Sequence, residues 1–134
     1  EDNEYLPTNF TDGNSVAYTG THDNKTLRSF LENMDNGARK AFEKAFEEQC
    51  LALDVPYLTE TVQDECQSVI ELLFASKADK VIIPMQDVLA LGEEARLNAP
   101  STVSNQNWTF RFTAGDFGRR KAAWLKELTE RYDR

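Results

Sequence analysis

The sequence predicts an α/β protein of the parallel type, helix-rich, whose strands each lead into helical segments. Two observations carry that reading. The stretch from Ser15 begins as a run of β-branched, aromatic and small residues, Ser15-Val16-Ala17-Tyr18-Thr19, and ends in the polar cluster Gly20-Thr21-His22-Asp23-Asn24. Further on, Lys80-Val81-Ile82-Ile83-Pro84-Met85 is a short apolar run without alternation, the pattern of a parallel strand covered on both faces.

The elements follow in order. Residues 1 to 14 are polar and rich in Asn, Asp, Pro and Gly; they read as a loop with Tyr5, Leu6 and Phe10 as anchors and a turn at Asp12-Gly13-Asn14. After the first strand, Leu27, Phe30, Leu31 and Met34 fall at helical spacing, and Asp35-Asn36-Gly37 breaks the pattern. A second helix carries Ala38, Phe42, Ala45, Phe46 and Leu53 inward, with Arg39, Lys40, Glu43, Lys44, Glu47 and Glu48 as a solvated face. Asp54-Val55-Pro56 stops it, and Thr59 is placed to cap a third helix lined by Val62, Cys66, Val69, Ile70, Leu73 and Phe74. The second strand follows, then a helical turn over 86–92 and a long irregular segment over 93–114. A last helix from about Asp116 turns Ala122, Ala123, Leu125, Leu128 and Tyr132 inward.

Two strands of this buried type cannot complete a sheet, because open edges leave backbone groups unpaired. The missing strands are expected from a larger protein or from self-association through the strand edges. The first residue is not Met, in keeping with a cut piece, and Glu1-Asp2-Asn3-Glu4 has no basic or apolar targeting character.

At 134 residues the chain reads as a single region, with 40% hydrophobic and 28% charged residues as in ordinary globular proteins. No apolar run is long enough for a membrane span. The net charge of −8 argues against a nucleic-acid partner, whose phosphates are bound by basic groups. Cys50 and Cys66 sit at helical positions and read as reduced core residues of a cytoplasmic protein. Neither has a Cys or His partner at ligand spacing, so no metal or other cofactor is expected.

Chemistry is expected at the carboxyl ends of the strands, where parallel α/β folds carry their sites. Thr21-His22-Asp23-Asn24 is either a helix entry capped by Asp23 or Asn24, or an imidazole and a carboxylate displayed to grip sugar hydroxyls or tune an acid. The segment after the other strand, Gln86-Asp87 and then Glu94 to Pro100, emerges on the same face, so the two clusters are expected to meet across one cleft. In Asn107-Trp108-Thr109-Phe110-Arg111-Phe112 the alternating aromatics suit core packing better than a sugar platform.

Four strings of this sequence, in this order, are familiar: Tyr18-Thr19-Gly20-Thr21-His22-Asp23-Asn24, Met85-Gln86-Asp87-Val88-Leu89, Glu94-Ala95-Arg96-Leu97-Asn98-Ala99-Pro100 and Asn107-Trp108. Together they resemble the C-terminal part of the amylomaltases, the bacterial and plant 4-alpha-glucanotransferases related to alpha-amylase. The resemblance implies the last two βα units of a (β/α)8 barrel, incomplete as an isolated chain. It implies transfer of α-1,4-glucan segments between maltooligosaccharides or starch-derived glucans with retention, through an aspartate nucleophile and a glutamate acid/base that lie on earlier strands. Asp23 matches the family's third, transition-state-stabilising carboxylate, His22 the adjacent histidine on the same sugar ring, and Asn98 an asparagine of the substrate groove. Arg96 and Pro100 would shape the loop. Ser101 stands where the family often has glycine, and Phe110 where a second tryptophan is common. Two rival readings are a non-catalytic glucan-binding module using Trp108, Phe110 and Asn98, and an interaction domain that recruits partners through its strand edges.

Overall fold

Short polar side chains set the helix starts. A computed structural model of the chain describes residues 3–11 and 14–134; the turn expected at Asp12-Gly13 lies outside the described residues. Helix α1 (Leu27–Glu32) begins where the Thr26 hydroxyl accepts the Ser29 N–H at 3.2 Å. Asp35 does the same for α2 (Asn36–Leu53), one carboxylate oxygen taking the N–H groups of Gly37 and Ala38, each at 2.8 Å. What reads in sequence as a break is therefore a cap between two helices. Helix α3 (Val62–Ala75) opens with a reciprocal pair: Thr61 Oγ1 accepts the Asp64 N–H, and Asp64 Oδ2 accepts the Thr61 N–H, both at 3.1 Å. The expected cap at Thr59 is thereby corrected to Thr61, since only Thr61 has a carboxylate three residues on.

Strands β1 (Val16–Tyr18) and β2 (Lys80–Ile82) pair in parallel, Val16 opposite Lys80, Ala17 opposite Val81 and Tyr18 opposite Ile82. β2 stops earlier than its apolar run, because Pro84 lacks a ladder donor and leads into α4 (Met85–Val88). Single 3-10 turns occupy Pro7–Asn9, Glu93–Ala95 and Ala114–Asp116, and α5 (Arg119–Arg131) ends the fold.

Helix α3 is the axis of the core. Its Cys66 and Ile70 join Leu27 and Leu31 of α1, Leu128 of α5, and Ala90 just past α4, all buried. Phe46 and Cys50 of α2 close on Leu72 and Val55. Both cysteines are free and buried, as expected. Ala17 of β1 packs on Leu73 and Ala78, with Phe10 and Val81 against them.

Helices α5, α2 and α3 each carry a feature that the sequence reading does not give. Ala122 and Ala123 are exposed, while Trp124 takes the inward position beside Leu128 and Tyr132, a four-residue spacing. Arg39 leaves the solvated face of α2 to pair with Glu65, a carboxylate buried on α3, and with Glu43 at 2.7 Å. Glu71, also buried on α3, is held by Arg131 at 2.5 Å and by the Tyr132 hydroxyl at 2.8 Å. A buried carboxylate is tolerated only with such partners.

Successive strand residues face opposite sides. One side of the sheet is covered by α3, as Ala17 shows. On the other, Val16, Tyr18 and Ile82 are 44%, 49% and 49% exposed. A parallel sheet is ordinarily buried on both faces, so this apolar face is open, and the described residues supply two strands in all.

Candidate functional site

The parallel pairing sends both post-strand segments out at the same end, and there the two polar clusters meet. Thr19, one residue past β1, donates its hydroxyl to Asp87 Oδ2 at 2.5 Å. The other Asp87 oxygen accepts the Leu27 N–H, the first residue of α1, at 2.7 Å. Asp87 is 2% exposed and thus pins both ends of the loop that carries His22 and Asp23. Burial pushes its carboxyl up from the ordinary value, outweighing the two hydrogen bonds that favour the charge.

Within that loop Asn24 Oδ1 accepts both the N–H and the hydroxyl of Thr21, at 2.7 and 2.8 Å. Asn24 therefore closes a turn, and Asp23 is freed for another task; neither caps α1, a role that falls to Thr26. Asp23 Oδ1 accepts the Asn98 side-chain N–H at 2.6 Å and lies 3.4 Å from His22 Nε2. The Asn98 backbone N–H reaches the His22 carbonyl at 3.2 Å. Arg96 locks the same junction, donating at 2.9 Å to the carbonyls of Asp23 and Asn98 alike. Its third bond, 3.0 Å, goes to Glu93, whose second oxygen takes the Ser29 hydroxyl at 2.5 Å. Burial works against the Glu93 charge, but these partners together hold its carboxyl below the ordinary range.

The structure thus brings together His22, Asp23 and Asn98, the site residues expected from the sequence, and Arg96 shapes their loops as expected. Asp23 and His22 stay about half exposed, at 46% and 53% of their side chains. Beside them a cleft of about 200 Å³ is lined by His22, Lys25, Gln86, Asp87 and Arg96, among others. A carboxylate with one oxygen anchored, an imidazole and an amide on one rim suit the adjacent hydroxyls of a sugar.

The aromatics divide differently from the expectation. Phe110, Phe112 and Phe117 pack on one another, ring centres 5.0 and 5.7 Å apart. Trp108 leaves them, is 54% exposed, and lies over His22 with ring centres 5.1 Å apart. Ser101 has φ of +62°, the left-handed region that favours glycine. Among the described residues no three His, Cys, Asp or Glu side chains are grouped to hold a metal ion, and no helix is long and apolar enough to cross a membrane.

A two-stranded parallel α/β unit with this polar rim is matched over residues 1–116 by the family profile described as 4-alpha-glucanotransferase, and the chain belongs to that family. Among its relatives, the 4-alpha-glucanotransferase of Clostridium butyricum is 39% identical over 132 residues, covering 98% of this chain and 25% of its own length. The chloroplastic/amyloplastic enzyme of Arabidopsis thaliana is 41% identical over 109 residues, covering 80% and 17% respectively. An amylomaltase from Streptococcus agalactiae, solved in complex with acarbose, superposes with a TM-score of 0.80 at 30% identity, over 99% of this chain and 24% of that one. The chain therefore spans a quarter or less of the length of these relatives.

Proposed function

We propose that this chain supplies Asp23, His22 and Asn98 to the donor site of a 4-alpha-glucanotransferase that moves α-1,4-glucan segments between maltooligosaccharides or starch-derived glucans with retention. The observation that carries the reading is the 2.6 Å Asn98–Asp23 bond, which joins the loops after two parallel strands in a chain of this family. Asp23 is the catalytic carboxylate of the set, bonding sugar hydroxyls more strongly as the ring flattens toward an oxocarbenium-like transition state. His22 bonds the same ring, and Asn98 orients Asp23 and lines the groove. The acarbose bound to the Streptococcus agalactiae neighbour supports a glucan-type ligand.

A retaining mechanism needs two further carboxyl groups about 5–5.5 Å apart. Asp87 and Glu93, bonded into these same loops, are engaged by Thr19, Leu27, Ser29 and Arg96. The resemblance to the amylomaltases places the nucleophile and acid/base on earlier strands, beyond this chain, so the chain alone is expected to be inactive. Residues 1–134 form one region, the last two βα units of a (β/α)8 barrel, and the open face of Val16, Tyr18 and Ile82 looks into the packed interior of that barrel. In isolation the same face favours self-association. No cofactor, nucleic acid or membrane takes part, and the location is cytoplasmic, although the Arabidopsis relative is named chloroplastic.

The test is glucose release from maltotriose by the chain alone and by a barrel-complete form, in which the chain replaces the matching quarter of the Clostridium butyricum relative. Activity is expected in the second form only, and Asp23→Asn is expected to lower its kcat by at least about 10²-fold. Turnover by the short chain, or an Asp23→Asn form as active as its parent, would refute the assignment.

A further inference from the structure

Trp108 is held where a tryptophan is costly. Its φ is +65°, a left-handed conformation that strains a bulky residue. The residue is 54% exposed although the aromatic cluster of Phe110, Phe112 and Phe117 lies close in sequence. Strain of this kind persists only where the surroundings impose it, and here they do. The Trp108 N–H donates to the Leu97 carbonyl at 2.6 Å, and the adjoining Asn107 side chain accepts the Ala99 N–H at 3.1 Å. Both bonds fasten Trp108 to the segment that also presents Asn98.

The outcome of that fastening is the contact with His22, ring centres 5.1 Å apart and planes inclined by 36°. His22 is otherwise met by the Asp23 carboxylate, 3.4 Å from Nε2, so its half-exposed ring is held between an indole and a carboxylate.

We propose that Trp108 is a positioning residue that acts through His22, fixing the imidazole beside Asp23 so that both address one sugar ring. The proposal rests on the transferase reading above. The indole itself is not the sugar platform; its packed side is spent on the imidazole. A small misalignment of a substrate-orienting group costs up to about 10²-fold in rate, so a half-exposed ring that loses one wall should cost about tenfold.

Two measurements decide it. In the barrel-complete form, Trp108→Ala lowers kcat about tenfold with KM within about twofold, Trp108→Phe restores most of the loss, and Trp108→Ala adds less than about twofold when His22 is already Ala. A raised KM, or an equal effect with and without His22, makes Trp108 a direct sugar contact and overturns the proposal. In the 134-residue chain, NMR reads the contact without catalysis, because the sequence holds one histidine and hence one set of imidazole signals. Nuclear Overhauser contacts from the His22 ring to the indole are expected, and in Trp108→Leu a loss of the indole ring-current shift. Their absence in the parent chain overturns the proposal whatever the kinetics show. A parent barrel-complete form without activity would instead sink the transferase reading, and with it the kinetic role, leaving the contact to stand or fall by NMR.

Discussion

Replacing Asp87 with alanine should loosen the site from beneath. Its two oxygens satisfy the Leu27 N–H at 2.7 Å and the Thr19 hydroxyl at 2.5 Å, and the side chain is 2% exposed. A buried donor left without an acceptor costs about 1–3 kcal/mol. Leu27 is buried and bears the full cost, whereas Thr19 is half-buried and turns its hydroxyl to water, so the expected total is about 2–3 kcal/mol. For a chain of this size that is a fall in Tm of roughly 10 °C. Asp87→Asn keeps an oxygen for Leu27, meets Thr19 with an amide N–H that the hydroxyl oxygen can accept, and removes a buried charge; its cost at neutral pH should stay within about 1 kcal/mol.

The pH dependence separates the two effects. Burial raises the Asp87 carboxyl above its ordinary value, so the folded chain binds that proton more tightly than the unfolded one. The stabilisation from this proton is complete below the unfolded value and is lost as pH rises through the raised folded value. The parent should therefore gain on Asp87→Asn as the solution is acidified. Urea unfolding followed by circular dichroism at several pH values measures both quantities. An Asp87→Ala chain within about 0.5 kcal/mol of the parent, the usual span of a neutral surface change, would refute the pinning role. A parent-minus-Asn difference that is flat with pH would refute the burial argument.

Two further outcomes are expected. Ser101→Gly relieves a left-handed residue whose exposed side chain packs on little, and should raise stability by about 0.5–1 kcal/mol in the same urea experiment; an unchanged or lower midpoint would count against it. Burial pushes the Cys50 thiol up to about 11 and the Cys66 thiol up to about 12. Both should resist a thiol-disulfide reagent at pH 8 in the native chain and react after unfolding in urea, while stoichiometric native reaction would show that one of them is accessible.

The meeting of His22, Asp23 and Asn98 is legible in the sequence for a topological reason. Two parallel strands release their following loops at one end, so recognising both as buried-type strands is enough to bring the polar clusters together. The true cap of α3 is legible too, because Thr61 has Asp64 three residues on, whereas Thr59 offers only the right residue type. Other features leave no local trace. Arg39 reads as surface because its partner Glu65 stands on another helix, 26 residues away. Asp87 has the look of a helical-turn residue, and only the fold reveals that Thr19 and Leu27 depend on it. The alternation of Trp108, Phe110 and Phe112 reads as core packing, which Phe110 and Phe112 follow, and nothing in a residue's name announces a left-handed tryptophan. In α5, by contrast, the four-residue spacing of Trp124, Leu128 and Tyr132 is present in the sequence, and the neighbouring alanines at 122 and 123 mask it.

The pairing of β1 with β2 has a consequence in time as well as in space. The bonds that build the site join residues far apart in the chain, 68 positions for Thr19 with Asp87 and 75 for Asp23 with Asn98, while each helix draws on neighbours a turn away. Closing a loop of that length costs roughly 4 kcal/mol of chain entropy before any contact repays it. Once the two strands have zipped, that cost has been met in a single step, and only the short tethers from Tyr18 to Asp23 and from Ile82 to Asn98 remain to settle. The rim of His22, Asp23 and Asn98 should accordingly assemble last and, on the reverse path, come apart first, with the helices around α3 outliving it.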